Sequence, residues 1–168
     1  MRYTEFILLL SILLAGCGKE STEPEEPIFT IVLTPSVGSI SVGQAGNVTL
    51  RVEDLDVQIF GVSMRIGYDS TVISFAGSTG FSAGDFFGEK IVVFVRDESS
   101  VIHVTLTLTQ GQETVVGSGE LGEFTFKGVS PGSSRVEIIP SELHFYDSGG
   151  SDVLIDSLVI ENANVIVQ

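Results

Sequence analysis

Few residues in this 168-residue chain are of the types that carry out chemistry. Its imidazoles are His103 and His144, and neither belongs to an HExxH pattern or to a Ser-His-Asp spacing. Adjacent acids occur at Glu53-Asp54 and Asp97-Glu98, beside the ends of apolar runs, where solvated turns place carboxylates. They do not read as a glycosidase pair. The stretch Gly80 to Gly88, GFSAGDFFG, lacks the lysine and the strand-to-helix context of a phosphate cradle, so it reads as a connection between strands. Asp147, Asp152 and Asp156 crowd the loop that begins DSGGSD and offer the oxygen ligands Ca²⁺ prefers. Their spacing is not that of a calcium helix-loop-helix, and a solvated turn accounts for them. Cys17 is the sole thiol, so it cannot close a disulfide within the chain or gather a structural zinc site. No catalytic residue, cofactor or metal site is expected.

The neighbours of Cys17 give it a different role. Arg2 precedes FILLLSILL (Phe6 to Leu14), nine residues with only Ser11 polar. A bilayer span needs about 20 apolar residues, so this run is a secretory leader and not a spanning helix. The exit Leu14-Ala15-Gly16-Cys17 resembles the lipobox of bacterial lipoproteins, in which the cysteine becomes the first mature residue and carries lipid. The expected divisions are a signal peptide at 1–16, a lipidated Cys17 with an acidic tether at 17–27, and one domain at 28–168. The resemblance implies an exported chain held at the bacterial cell envelope by lipid on Cys17, with the membrane face left open.

Charge narrows the partners. The net charge is −14, from 8 basic and 22 acidic residues, and loss of residues 1–16 leaves it unchanged. Such a surface repels phosphate backbones, so nucleic acid is not a partner. Residues 18–27, GKESTEPEEP, have no large apolar side chain and two prolines, the composition of an extended, solvated spacer.

The elements of the domain read as strands. Its glycines and its Val, Ile, Thr and Phe content favour strands joined by tight turns, and no window carries a helical stripe. Phe29, Ile31 and Leu33 alternate, as do Val48, Leu50 and Val52. Phe60 to Tyr68 turns five large side chains inward and Gly61, Ser63, Arg65 and Gly67 outward. Asp69-Ser70 then turns the chain into a fourth run, Val72 to Phe75, and the fifth, Lys90 to Arg96, is apolar on both faces, as in a strand buried twice or one that contacts something outside. Ile102, Val104, Leu106 and Leu108 alternate with His103, Thr105, Thr107 and Thr109. Later runs at Leu121 to Phe126, Val136 to Ile139, Leu143 to Phe145 and Val153 to Val167 bring the count to about nine. The expected fold is all-β, a jelly-roll-like sandwich of two packed antiparallel sheets. An immunoglobulin topology is second, because its cysteine pair and core tryptophan are missing.

Three ordered stretches, GVSMRIGYDSTVISF (Gly61 to Phe75), GSGELGEFTFKG (Gly117 to Gly128) and SELHFYDSGG (Ser141 to Gly150), are similar to the cohesin family. This resemblance implies a nine-stranded sandwich, related in shape to carbohydrate-binding modules, that binds dockerins, the calcium-loaded helical tags of secreted enzymes. It implies a docking face that includes the third, fifth, sixth and eighth strands. By position the third strand offers Gly61, Ser63 and Arg65, and the sixth adds His103, Thr105 and Thr107. Family members often carry Asn or Asp where Gly61 and Ser63 stand here, which leaves the type of dockerin open. Two other readings remain. One is direct polysaccharide binding, against which stand the absence of Trp and only two mature tyrosines, Tyr68 and Tyr146. The other is a structural or adhesive envelope domain.

Overall fold

A computed structural model of the chain describes residues 28–168. The expected leader, Cys17 and the expected tether lie outside the described residues.

Alternation in sequence becomes alternation in burial. Ile31, Leu33, Leu50, Val52, Val62, Met64, Ile66, Ile102, Val104 and Leu106 are buried, while Arg51, Ser63, Arg65, His103 and Thr105 between them are partly exposed. The strands are β1 (Phe29–Thr34), β2 (Val37–Ile40), β3 (Ala45–Ile59), β4 (Gly61–Gly67), β5 (Ile73–Phe75), β6 (Phe81–Ala83) and β7 (Ile91–Asp97). They continue as β8 (Val101–Leu108), β9 (Val115–Gly128), β10 (Gly132–Ile138), β11 (His144–Tyr146), β12 (Asp152–Val153), β13 (Leu158–Glu161) and β14 (Ala163–Val167). Eight of these run five residues or more, close to the expected nine; the surplus is short pieces of two to four. Helix among the described residues amounts to 3₁₀ turns at Gly77–Gly80 and Pro140–Glu142.

Two sheets stack. One runs β13-β1-β3-β9-β5, with β6 also on β9; the other runs β12-β11-β4-β10-β14-β2, with β8 on the free side of β4 and β7 on β8. The sheets are not purely antiparallel as expected. β1 pairs parallel with β13, and β2 parallel with β14. The N-terminal run crosses from one sheet to the other between β1 and β2, and the C-terminal run makes the same crossing beside it between β13 and β14. Two runs that cross side by side in the same direction can pair only in parallel. At the second crossing Asn162 accepts a hydrogen bond from the Ile138 amide at 3.0 Å, satisfying a backbone group the switch leaves without a ladder partner.

Between the sheets lies an aromatic cluster. Phe124 packs against Phe75, Phe81 and Phe126 with ring centroids 6.0, 5.0 and 6.4 Å apart. Phe81 comes from the Gly80–Gly88 stretch, which is a connection as expected and also contributes β6. It lies on Gly122, where a Cβ would stand 2.3 Å from the Phe81 ring. Tyr68 points inward, 8% exposed, and its hydroxyl donates to Asp97 at 3.1 Å.

Two acidic features settle differently. Glu53-Asp54 does not end a strand: it sits inside β3 at a register shift against β9, with Asp54 in the left-handed region (φ 57) and its amide bonded to Ser118 Oγ. In the DSGGSD loop, Asp147 Oδ1 accepts from the amides of Gly149 and Ser151 at 2.8 and 2.9 Å, a side-chain-closed turn. Among the described residues no group of three or more His, Cys, Asp or Glu is placed to hold a metal.

Candidate binding face

The sheet that holds β4 presents an open face, and the ladder positions fix which side chains share it. β4 pairs with β8 over its whole length, setting Gly61 opposite Thr107, Ser63 opposite Thr105, and Arg65 opposite His103. All six residues expected from sequence therefore lie side by side on two adjacent strands. On the far side of β8, β7 sets Val92 against Thr107, Phe94 against Thr105, and Arg96 against His103. On the far side of β4, β11 sets Tyr146 against Gly61 and His144 against Ser63. The expected third, fifth and sixth strands are thus neighbours, as β4, β7 and β8.

The polar groups of the centre bond to one another. Ser63 Oγ and Thr105 Oγ1 are 3.1 Å apart. Arg65 Nε can only donate, so His103 Nδ1, at 3.2 Å, accepts. That places the imidazole proton on Nε2, which donates to Glu98 at 2.9 Å. Arg65 also reaches Glu142 at 3.4 Å, and Arg96 reaches Glu98 at 2.9 Å. The result is a chain Glu142-Arg65-His103-Glu98-Arg96 in which two guanidinium groups and two carboxylates bracket one imidazole. Arg65 and Arg96 are 43% and 65% exposed along their side chains, so each pair contributes no more than about 1 kcal/mol. His103 is a satisfied surface histidine. His144 stacks on Tyr146 at 6.3 Å and faces Asp152 at 3.7 Å.

Gly61 shapes the middle. A Cβ there would stand 3.0 Å from both the Leu106 carbonyl oxygen and Thr107 Oγ1, so the floor dips between Tyr146 and Thr107.

The apolar part of the face was not named from sequence. Val92 and Phe94 are 52% and 56% exposed, and Val93, on the opposite side of β7, is 41% exposed. The signal was present in the two-sided apolar run Lys90 to Arg96, and of its two explanations burial on both faces is excluded, because Val92, Val93 and Phe94 are exposed. Among the described residues β7 is an edge strand paired only with β8.

A two-layer sandwich with parallel-paired terminal runs and one open, internally bonded face defines a known class of β module. The Cohesin domain model matches residues 31–156, and the chain belongs to that family. No match is found among curated protein sequences. Solved structures agree in fold. The third cohesin ScaC of Acetivibrio cellulolyticus, solved in complex with the ScaB dockerin, superposes with a TM-score of 0.68 at 15% identity, covering 83% of this chain and 99% of its own. A non-cellulosomal cohesin from the archaeon Archaeoglobus fulgidus gives 0.66 at 16%, with coverages of 84% and 92%. A cohesin in a type I cohesin–dockerin complex from Clostridium thermocellum gives 0.65 at 16%, with coverages of 84% and 94%.

Proposed function

We propose that this chain is a non-catalytic docking module that binds a dockerin-bearing protein through the face formed by β11, β4, β8 and β7, and is held at the cell envelope by lipid on Cys17. The observation that carries the reading is the ladder that aligns Gly61, Ser63 and Arg65 with Thr107, Thr105 and His103 on one open sheet face. Its support from relatives is family membership together with solved cohesins of the same fold in complex with dockerins. Small floor residues let a helix approach closely, and the guanidinium groups at one end give the contact direction.

The lipid and tether complete the reading. Acyl chains contribute about 0.8 kcal/mol per buried methylene, so several chains on one cysteine anchor firmly. Residues 18–27 then hold the domain away from the acyl layer. A place in polysaccharide degradation follows only through the enzyme that the partner carries.

Calorimetric titration of the mature chain, Cys17 to Gln168, with each calcium-loaded dockerin encoded in the same genome tests the reading. One-to-one binding that EDTA abolishes is expected. Retention on insoluble polysaccharide with no dockerin bound overturns it.

A further inference from the structure

The open face ends at β7, and the free edge of that strand is a second surface. The Lys90 carbonyl accepts from the Thr109 amide at 3.0 Å, and the Glu98 amide donates to the Val101 carbonyl at 2.9 Å, so even-numbered residues turn their backbone groups toward β8. The amides and carbonyls of Ile91, Val93, Val95 and Asp97 therefore point away from the sheet. No turn or loop bond among the described residues reaches them.

Natural edges are kept short, charged, bulged or interrupted by proline, because a bare edge is a template for another strand. The other edge strands described here, β2, β5, β6, β12 and β13, are two to four residues long. β7 has seven, IVVFVRD, with no proline and no register shift in its ladder to β8. Its middle is apolar on both sides, and Val92, Val93 and Phe94 are all exposed.

We propose that a second copy of this chain pairs with this edge, β7 against β7, antiparallel about a two-fold axis at Phe94. Side-chain chemistry selects both the copy and the register. Opposed residues must share a face, so the axis passes through one residue set against itself, and Val92, Val93, Phe94 and Val95 are the candidates. About Val93, Lys90 would oppose Arg96 and Glu89 would oppose Asp97, like charges throughout. About Val92, Phe94 would oppose Lys90 and Val95 would oppose Glu89. About Val95, Val92 would oppose Glu98 and Val93 would oppose Asp97. About Phe94, Lys90 faces Glu98 at both ends, Phe94 faces Phe94, and Val93 faces Val95. Ile91 then meets Asp97, whose carboxylate already accepts from the Tyr68 hydroxyl. Lys90 has no ion pair among the described residues, and the Glu98 carboxylate has room to accept from it beside Arg96 and His103.

Every outward backbone group from Ile91 to Asp97 finds a partner in this register. Val92, Phe94 and Arg96 stay on the outer side in both copies, so the two open faces lie side by side on one continuous sheet. One strand pair is a small contact, which makes the dimer reversible and dependent on concentration. The pairing needs no dockerin.

Sedimentation velocity of the mature chain with Cys17→Ser, which removes the thiol able to join two copies, tests the edge. Monomer at low concentration and dimer at high concentration are expected. Val93→Pro should keep the thermal midpoint, because the Val93 amide makes no bond to β8, and should leave the chain monomeric. In the same Cys17→Ser background, Phe94→Cys should close a disulfide between copies in a glutathione buffer. The Cα atoms of such a non-hydrogen-bonded pair stand about 4.5 Å apart, within disulfide reach. Val92→Cys should not, because its counterpart lies opposite Arg96. This cross-link is read without the proline variant, whether or not that variant folds. A chain that stays monomeric at every concentration overturns the second copy as occupant, whatever other strand the edge then takes. A dimer that a folded Val93→Pro leaves intact overturns the edge, and cross-linking through Val92→Cys but not Phe94→Cys overturns the register.

Discussion

Arg65 and His103 stand directly opposite on β4 and β8, joined by a 3.2 Å hydrogen bond in which the guanidinium donates to Nδ1. This bond ties the centre of the face to a chain of charges that ends at Glu142 on one side and Arg96 on the other. Reversing the charge breaks it at two points.

Arg65→Glu places a carboxylate next to Glu142 and removes the donor to His103. Ser63→Asp puts an unpaired charge in the floor where a partner packs. Each substitution should weaken a cognate dockerin more than tenfold, about 1.4 kcal/mol, with little loss of fold stability. Titration of both variants checks this, and unchanged affinities move the site elsewhere.

Tyr68 makes stability depend on alkaline pH. Its pKa is raised from 10.0 to about 12, first by burial and then by the bond to Asp97. The folded chain holds this proton more tightly than the unfolded chain, so the stabilisation is complete below pH 10 and is lost as pH rises through 12. Urea midpoints measured across that window should fall more steeply for the wild type than for Tyr68→Phe; parallel curves contradict the assignment.

Phe124→Ala empties the middle of the aromatic cluster. Phe124 is fully buried against Phe75, Phe81 and Phe126. The expected loss is about 3–5 kcal/mol, seen as a lower urea midpoint at unchanged slope.

Cys17→Ala tests the anchor. In a bacterial host the wild-type chain should incorporate radiolabelled fatty acid and fractionate with membranes, and the variant should do neither. Equal labelling removes the lipid from the account.

Long alternating runs made much of this fold legible. Phe60 to Tyr68 and Ile102 to Leu108 each bury one face continuously, so sequence alone assigned Ser63, Arg65, His103 and Thr105 to the outside. The pairing of β1 with β13 and of β2 with β14 was not legible, because parallel ladders between chain ends have no local signature. Glu53-Asp54 looked like a turn because acids collect there, yet a bulge keeps them inside β3.

A dockerin should sit on one particular sheet face. Backbone amide chemical-shift changes in the labelled mature chain, recorded as unlabelled calcium-loaded dockerin is added, test it most directly. The shifted amides should cluster on β4, β7, β8 and β11, leaving β1, β3 and β9 unmoved. Shifts confined to β3 and β9 contradict it.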